Sequence, residues 1–289
     1  MSKLYPCLWF NNNSAEAIAF YHEVTGKVNI LSENPVVTLF ELYGSTVMAL
    51  NGGDMFRPGP AVSYFIYCGG DQKRIEHLYE RLQEGGQVRI PLGTYDWSAK
   101  YAWVEDRFGI NWQLDIDPIN NVQKVVPALL FCDQQTALVS DAKSYYTSVF
   151  PEHRKLMDYP FPVEAGMPEG ALLFTQFQLG NLIFNAMSGG AEQHGFVFTE
   201  GNSFVVECDT QQEIDHYWNA FAKEGQESRC GWIKDRFGVW WQIIPSELGQ
   251  LMNNPKTGNK VSEALMKMNK LDIAQLKKAA GQDDSLSAE

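Results

Sequence analysis

Residues 4–10 form an apolar, aromatic run that stops at three consecutive asparagines, and apolar positions resume at helical spacing from Ser14 until Gly26. A strand followed by a helix is therefore predicted, with Ser14 as the cap, Glu16 in the first turn and Gly26 as the stop. Strand-like runs follow near residues 28–31, 36–43 and 46–51. The order then restarts: strand 62–68, helix 72–84 ended by Gly85 and Gly86, then strands 88–90, 101–105 and 111–116. The pattern reads as a βαβββ unit used twice. It recurs over residues 125–245, with helices near 136–150 and 211–224, so four units are expected. In the last copy few residues separate Gly225 from Cys230, and one short strand is expected to be missing. Beyond Pro245, Val261, Ala264, Leu265 and Met268 predict a helix, and Asp272 caps a second that carries Ile273 and Leu276. This tail is expected to pack on its own domain.

The two halves also repeat each other in detail. Residues 102–113 read AWVEDRFGINWQ and residues 231–242 read GWIKDRFGVWWQ, identical at seven of twelve positions. Asp-Arg-Phe-Gly between apolar runs is the pattern of a tight turn joining antiparallel strands, with Gly taking a positive φ. Pro6 answers Pro127, Gly52-Gly53 answers Gly189-Gly190, and SYFIYC at 63–68 answers SFVVEC at 203–208. The offset between copies is 121 at the prolines, 137 at the glycine pair and 129 at the turn, so the copies differ by insertions in loops. Domains are expected at residues 1–120 and 121–250, joined near Asp117–Lys124, with a tail at 251–289 that ends flexibly.

Composition narrows the class. At 289 residues with 45% hydrophobic content, the chain can fill two cores. A net charge of −12 argues against nucleic acid, which is bound through clustered Lys and Arg. No apolar run is long enough to cross a bilayer, and the first residues do not read as a signal peptide. Five cysteines without a CxxC spacing do not form a disulfide framework, so a reducing cytoplasm is expected.

Paired βαβββ units whose last strands meet in a DxxG turn resemble the vicinal-oxygen-chelate superfamily, which includes glyoxalase I, extradiol dioxygenases and the bleomycin and fosfomycin resistance proteins. PCLWF followed by AEAIAFY, then MALNGG and CGWIKDRFGVWWQIIP, look like its PhnB-like group, and KLDIAQLKKAAG resembles that group's usual ending. Many members of the group carry the name 3-demethylubiquinone-9 3-methyltransferase. The resemblance implies an α+β fold of tandem glyoxalase-like domains, each of two βαβββ units curled into a cup, plus a helical tail. It also implies that superfamily enzymes hold a divalent metal in the cup through His or Glu on the first and last strands.

Carried onto this chain, those ligand positions fall on Tyr5, Ser63 and Gln113, and in the second domain on Val126, Ser203 and Gln242. Neutral amides and hydroxyls supply too little charge for a transition metal, and the strand at 46–51 holds no acid or His. No metal and no cofactor are expected. The five His fall in predicted helices (His22, His77, His216) or loops (His153, His194), away from those strands.

Strand alternation gives the inward residues. In the first cup they are Tyr5, Cys7, Trp9, Ser63, Phe65, Tyr67, Asn111, Gln113 and Asp115. In the second they are Val126, Ala128, Leu130, Ser203, Val205, Glu207, Trp240 and Gln242, a greasier set. Asp106 and Asp235 are expected to stabilise the turn, Trp112 and Trp241 to be core, and Cys7 to be a small buried hydrophobe.

The expected function is a metal-free small-molecule binder. Trp9, Phe65 and Tyr67 would wall an aromatic or amphipathic ligand, and Tyr5, Ser63 and Gln113 would anchor it, with Ser203 and Gln242 as their counterparts. The alternative is a glyoxalase-superfamily enzyme using metal-free acid/base chemistry through Tyr5, Asp115, Glu207 or Cys7. The methyltransferase implied by the group's name ranks third, because no glycine-rich strand-to-helix turn offers a Rossmann-type donor site. A monomer or weak homodimer without nucleic-acid or membrane partners is expected.

Overall fold

The polar break after the first strand is where the chain leaves the sheet. β1 (Lys3–Phe10) gives way to α1 (Ser14–Thr25), which buries Ile18, Phe20, Tyr21 and Val24 and ends at Gly26 with φ 61°. Ser14 is not the cap: it is the first helical residue, and its N–H donates to Asn51 Oδ1 at 3.1 Å. β2 (Val28–Glu33), β3 (Val37–Leu42) and β4 (Ser45–Asn51) then form an antiparallel meander, and β4 returns beside β1 in parallel, with Cys7 opposite Met48. The second unit repeats this with β5 (Val62–Tyr67), α2 (Gln72–Leu82), β6 (Gln87–Tyr95), β7 (Ser98–Glu105) and β8 (Asn111–Asp115). The third comprises β9 (Val125–Phe131), a 3-10 turn at Asp133–Leu138, α3 (Val139–Val149), β10 (His153–Pro160), β11 (Leu172–Leu179) and β12 (Leu182–Ser188).

The fourth unit comprises β13 (Asn202–Cys208), α4 (Gln211–Ala222), β14 (Gln226–Glu227), β15 (Trp232–Lys234) and β16 (Trp240–Pro245). The strand expected to be missing survives as the two residues of β14. The computed structural model describes residues 3–117, 123–190 and 192–282. The core of the expected linker and the end of the tail, residues 118–122 and 283–289, lie outside the described residues.

The chain divides into two compact units, one spanning Tyr5–Asn202 and the other taking the chain from Ser203 onward together with its first residues. In the larger unit one sheet has the order β10-β11-β12-β9-β5-β8-β7-β6. Its two halves meet where β5 pairs antiparallel with β9, Ser63 opposite Ala128 and Phe65 opposite Val126. The sheet therefore joins the second βαβββ unit to the third, across the point where the sequence repeat divides. The first cup expected from sequence joined units one and two. Both seam strands are buried along their whole length, so their apolar patterns offer no face to tell one partner from another.

In the smaller unit β13 pairs parallel with β16, and β16 pairs antiparallel with β15. The tail adds α5 (Leu248–Met252), α6 (Gly258–Leu265) and α7 (Ile273–Ala279), and Val261, Leu271 and Leu276 are fully buried. As expected, Asp272 caps α7, accepting from Gln275 N–H at 2.9 Å. Backbone bonds from Cys230 and Gly231 to Met268 and Asn269, 2.7 and 2.8 Å, tie the tail to the start of β15.

Two buried aspartates set the hairpins. Asp106 Oδ1 accepts from the N–H groups of Phe108 and Ile110 at 2.8 and 3.0 Å. Its Oδ2 accepts from Trp112 Nε1 at 2.7 Å and from the Tyr21 hydroxyl at 2.9 Å. Asp235 repeats the first three bonds with Phe237, Val239 and Trp241. Burial pushes the Asp106 carboxyl up to about 6, against the pull of these four hydrogen bonds. Its folded value thus lies above that of an unfolded aspartate, so the stabilisation from its bound proton is complete below pH ~4 and is lost as pH rises through about 6. Urea unfolding from pH 4 to 7 is expected to show wild type losing stability relative to the non-titrating Asp106→Asn variant across that window.

Candidate functional site

β5 presents two faces of different chemistry. Tyr64 packs on Trp112, which meets Tyr21 of α1 edge-on at 5.3 Å, so this is the face that helices cover. Ser63, Phe65 and Tyr67 point the other way. There Phe65 and Tyr67 cluster with Tyr101, Trp103, Val126, Leu130 and Ile183, drawn from both halves of the sheet. The Phe65 and Tyr67 rings lie nearly parallel, 5.5 Å apart with 24° between planes.

Polar side chains are set into this apolar face, each paired with another. The Tyr101 hydroxyl donates to Gln113 Oε1, and Gln113 Nε2 donates to Ser63 Oγ at 2.7 Å. A second chain crosses the seam: Gln176 Nε2 donates to Asn185 Oδ1 and Asn185 Nδ2 donates to Tyr67 Oη, both at 2.9 Å. All six residues are at most 6% exposed. Burying unpaired amides and hydroxyls is costly, and these two chains remove most of that cost. Burial also raises the Tyr67 and Tyr101 phenols well above their ordinary range, so both stay protonated.

Charge is balanced at the edges of the same face. Arg89 donates from Nε to Asn111 Oδ1 at 2.8 Å, forms an ion pair with Glu105, and lies over the Phe196 ring at 5.4 Å. The Trp103 indole also donates to Asn111 Oδ1, at 3.1 Å. Asp115 is buried and accepts from the Ser98 hydroxyl at 2.8 Å, and its desolvation raises its carboxyl.

Of the residues singled out in the sequence, Ser63, Phe65, Tyr67 and Gln113 come together here. Tyr5 and Trp9 do not join them, because β1 pairs with β4, outside this sheet. Trp9 donates its indole N–H to Gly53 O at 2.8 Å and meets Phe56 edge-on at 4.9 Å. Its ring lies so close to Gly52 that a Cβ there would fall 2.0 Å away. Ser203 and Gln242 belong to the smaller unit, where Gln242 Nε2 donates to Ser203 Oγ at 3.0 Å, the same dyad as Gln113 and Ser63. Val126, Ala128 and Leu130, expected in the second cup, face the Phe65 cluster instead.

Tyr101, Gln176 and Asn185 were missed. The signal for Tyr101 was present: the turn at Asp106 fixes the register, putting Trp103 opposite Gln113 and Tyr101 on the same face two residues away. For Gln176 and Asn185 no local signal existed, because they reach Tyr67 only through the seam.

The donor set does not suit the metal that the fold implies. Gln113 Oε1, the only atom of that side chain able to coordinate, is a neutral amide oxygen that already accepts from the Tyr101 hydroxyl and offers a metal no charge. Among the described residues no three His, Cys, Asp or Glu side chains group as ligands.

A family profile described as 3-demethylubiquinone-9 3-methyltransferase matches residues 2–115 and again residues 123–244. Among solved structures, a PhnB protein from Bacillus cereus is 26% identical over 38% of this chain and 96% of its own, with a TM-score of 0.36. Protein PA1353 from Pseudomonas aeruginosa is 24% identical over 38% of this chain and 94% of its own, at a TM-score of 0.33. Glyoxalase I from Zea mays spans 84% of this chain and 93% of its own at 11% identity and a TM-score of 0.54, a likeness of fold. No curated protein matches.

Proposed function

We propose that this chain, which belongs to the 3-demethylubiquinone-9 3-methyltransferase family, is a metal-free binder that holds a flat, aromatic or amphipathic small molecule on the Phe65–Tyr67 face of its eight-stranded sheet. The observation that carries this reading is the pair of hydrogen-bonded polar chains inside an aromatic face. A face that served only as core would be more stable with apolar residues in those places, since paired buried polar groups return little net stability. Aromatic walls with a few convergent polar groups are the make-up of small-molecule sites. The same dyad at Ser203 and Gln242 makes the smaller unit's sheet a second candidate, where Trp232 and Trp240 lie 6.4 Å apart.

A thermal-shift screen of aromatic metabolites and antibiotics is the test, because a ligand that prefers the folded state raises the melting temperature. Hits are expected, and Gln113→Ala is expected to weaken them about tenfold while itself costing about 1–3 kcal/mol of stability, from the partners it leaves unpaired. Shifts that are unchanged in Gln113→Ala would move the site away from this face.

A further inference from the structure

We propose that the natural ligand of this face is a neutral, flat molecule carrying a carbonyl group, which takes the hydrogen-bond donors that the two polar chains leave over; this rests on the binding reading above. The argument is a count of protons. In the first chain an amide bridges two hydroxyls, those of Tyr101 and Ser63. The Gln113 amide sets its oxygen toward one hydroxyl and its NH2 toward the other, so the hydroxyl on the NH2 side accepts and keeps its own proton unclaimed. Here that hydroxyl is Ser63, which is fully buried and finds no acceptor among the described residues.

The second chain ends the same way. Asn185 Nδ2 donates to Tyr67 Oη, so the Tyr67 proton is not spent on Asn185, and no other described residue accepts it. Turning both amides over would spend that proton on Asn185 and leave the Gln176 NH2 unclaimed instead, so the chain keeps a surplus donor either way. Both chains thus present donors and no surplus charge, from residues at most 6% exposed.

The surroundings select the charge of the acceptor. Arg89 is already neutralised by Glu105, and the buried Asp115 lies beside Tyr67 in the register of β5 and β8, so an anion would meet a like charge. A carbonyl oxygen accepts two hydrogen bonds without a charge to desolvate. The nearly parallel Phe65 and Tyr67 rings suit a conjugated plane.

The experiment compares three probes of one shape, 2-acetylnaphthalene, 2-ethylnaphthalene and 2-naphthoate, by calorimetric or fluorescence titration of the full chain. The ketone is expected to bind about tenfold more tightly than the hydrocarbon. In the double variant Tyr67→Phe with Ser63→Ala, ketone and hydrocarbon are expected to bind alike, with hydrocarbon affinity kept. A lowered infrared carbonyl stretch for the bound ketone, returning upward in Tyr67→Phe alone, reads the hydrogen bond directly even where the double variant folds poorly. Equal affinity for ketone and hydrocarbon in the wild type, or tighter binding of the naphthoate, would overturn the proposal and leave the binding reading standing. If no probe binds up to its solubility limit, the binding reading falls and takes the proposal with it.

Discussion

Replacing Asp106 with Ala is expected to destabilise the protein by about 4 kcal/mol at neutral pH and to lower its melting temperature by about 10 °C. Four donors converge on that carboxylate: two backbone N–H groups of the hairpin, the Trp112 indole and the Tyr21 hydroxyl. All belong to buried or half-buried residues, so their loss is not made good by water, and each orphaned donor costs on the order of 1 kcal/mol. The damage reaches the candidate site through the chain itself. Trp112 precedes Gln113 on β8, and the register that sets Trp103 opposite Gln113 starts at this turn. Thermal unfolding checks the first effect. The second predicts that Asp106→Ala loses ligand-induced thermal shifts that a surface variant of equal stability would keep. A melting temperature within 2–3 °C of wild type would show that the turn forms without its aspartate.

That turn also marks what the sequence could and could not reveal. Asp-Arg-Phe-Gly occurs twice, and local chemistry makes it a hairpin, because the three hydrogen bonds that both copies share join residues at most six apart. Alternation likewise put Ser63, Phe65, Tyr67 and Gln113 on one face, since neighbouring side chains in a strand must point to opposite sides. The partnership of β5 with β9 lies beyond such rules. Residues 62–66 and 125–129, apolar apart from Ser63, are buried on both faces and fit any neighbour of the same length, so the choice is made by tertiary packing. From that one choice follow the placement of Tyr5 and Trp9 in another sheet, the arrival of Asn185 at Tyr67, and the joining of Val126 to Phe65. The Gln and Ser of the dyad were legible as positions that recur in both halves of the chain, yet their pairing direction, amide donating to hydroxyl, needed the structure.

Gly86→Ala and Gly225→Ala are expected to cost about 3 kcal/mol or more each, and to do so by the same mechanism in the two repeats. Gly86 reads in the sequence as a helix stop and Gly225 follows directly on a predicted helix, yet the structure gives both a second constraint. A Cβ on Gly86 would lie 2.1 Å from the carbonyl oxygen of Glu105, and one on Gly225 would lie 2.1 Å from that of Lys234. Glu105 and Lys234 are the residues just before the turn aspartates, so the carbonyls cannot retreat without pulling Asp106 and Asp235 from their donors. The neighbouring Gly85 is different: it takes φ 72°, and an added Cβ there meets nothing nearer than 3.4 Å. Its replacement by Ala should cost about 1 kcal/mol, the strain of a left-handed backbone. Chemical denaturation of the three variants checks the order. Gly85→Ala should be the mildest, and a Gly86→Ala protein as stable as Gly85→Ala would show that β7 can shift away from the helix end.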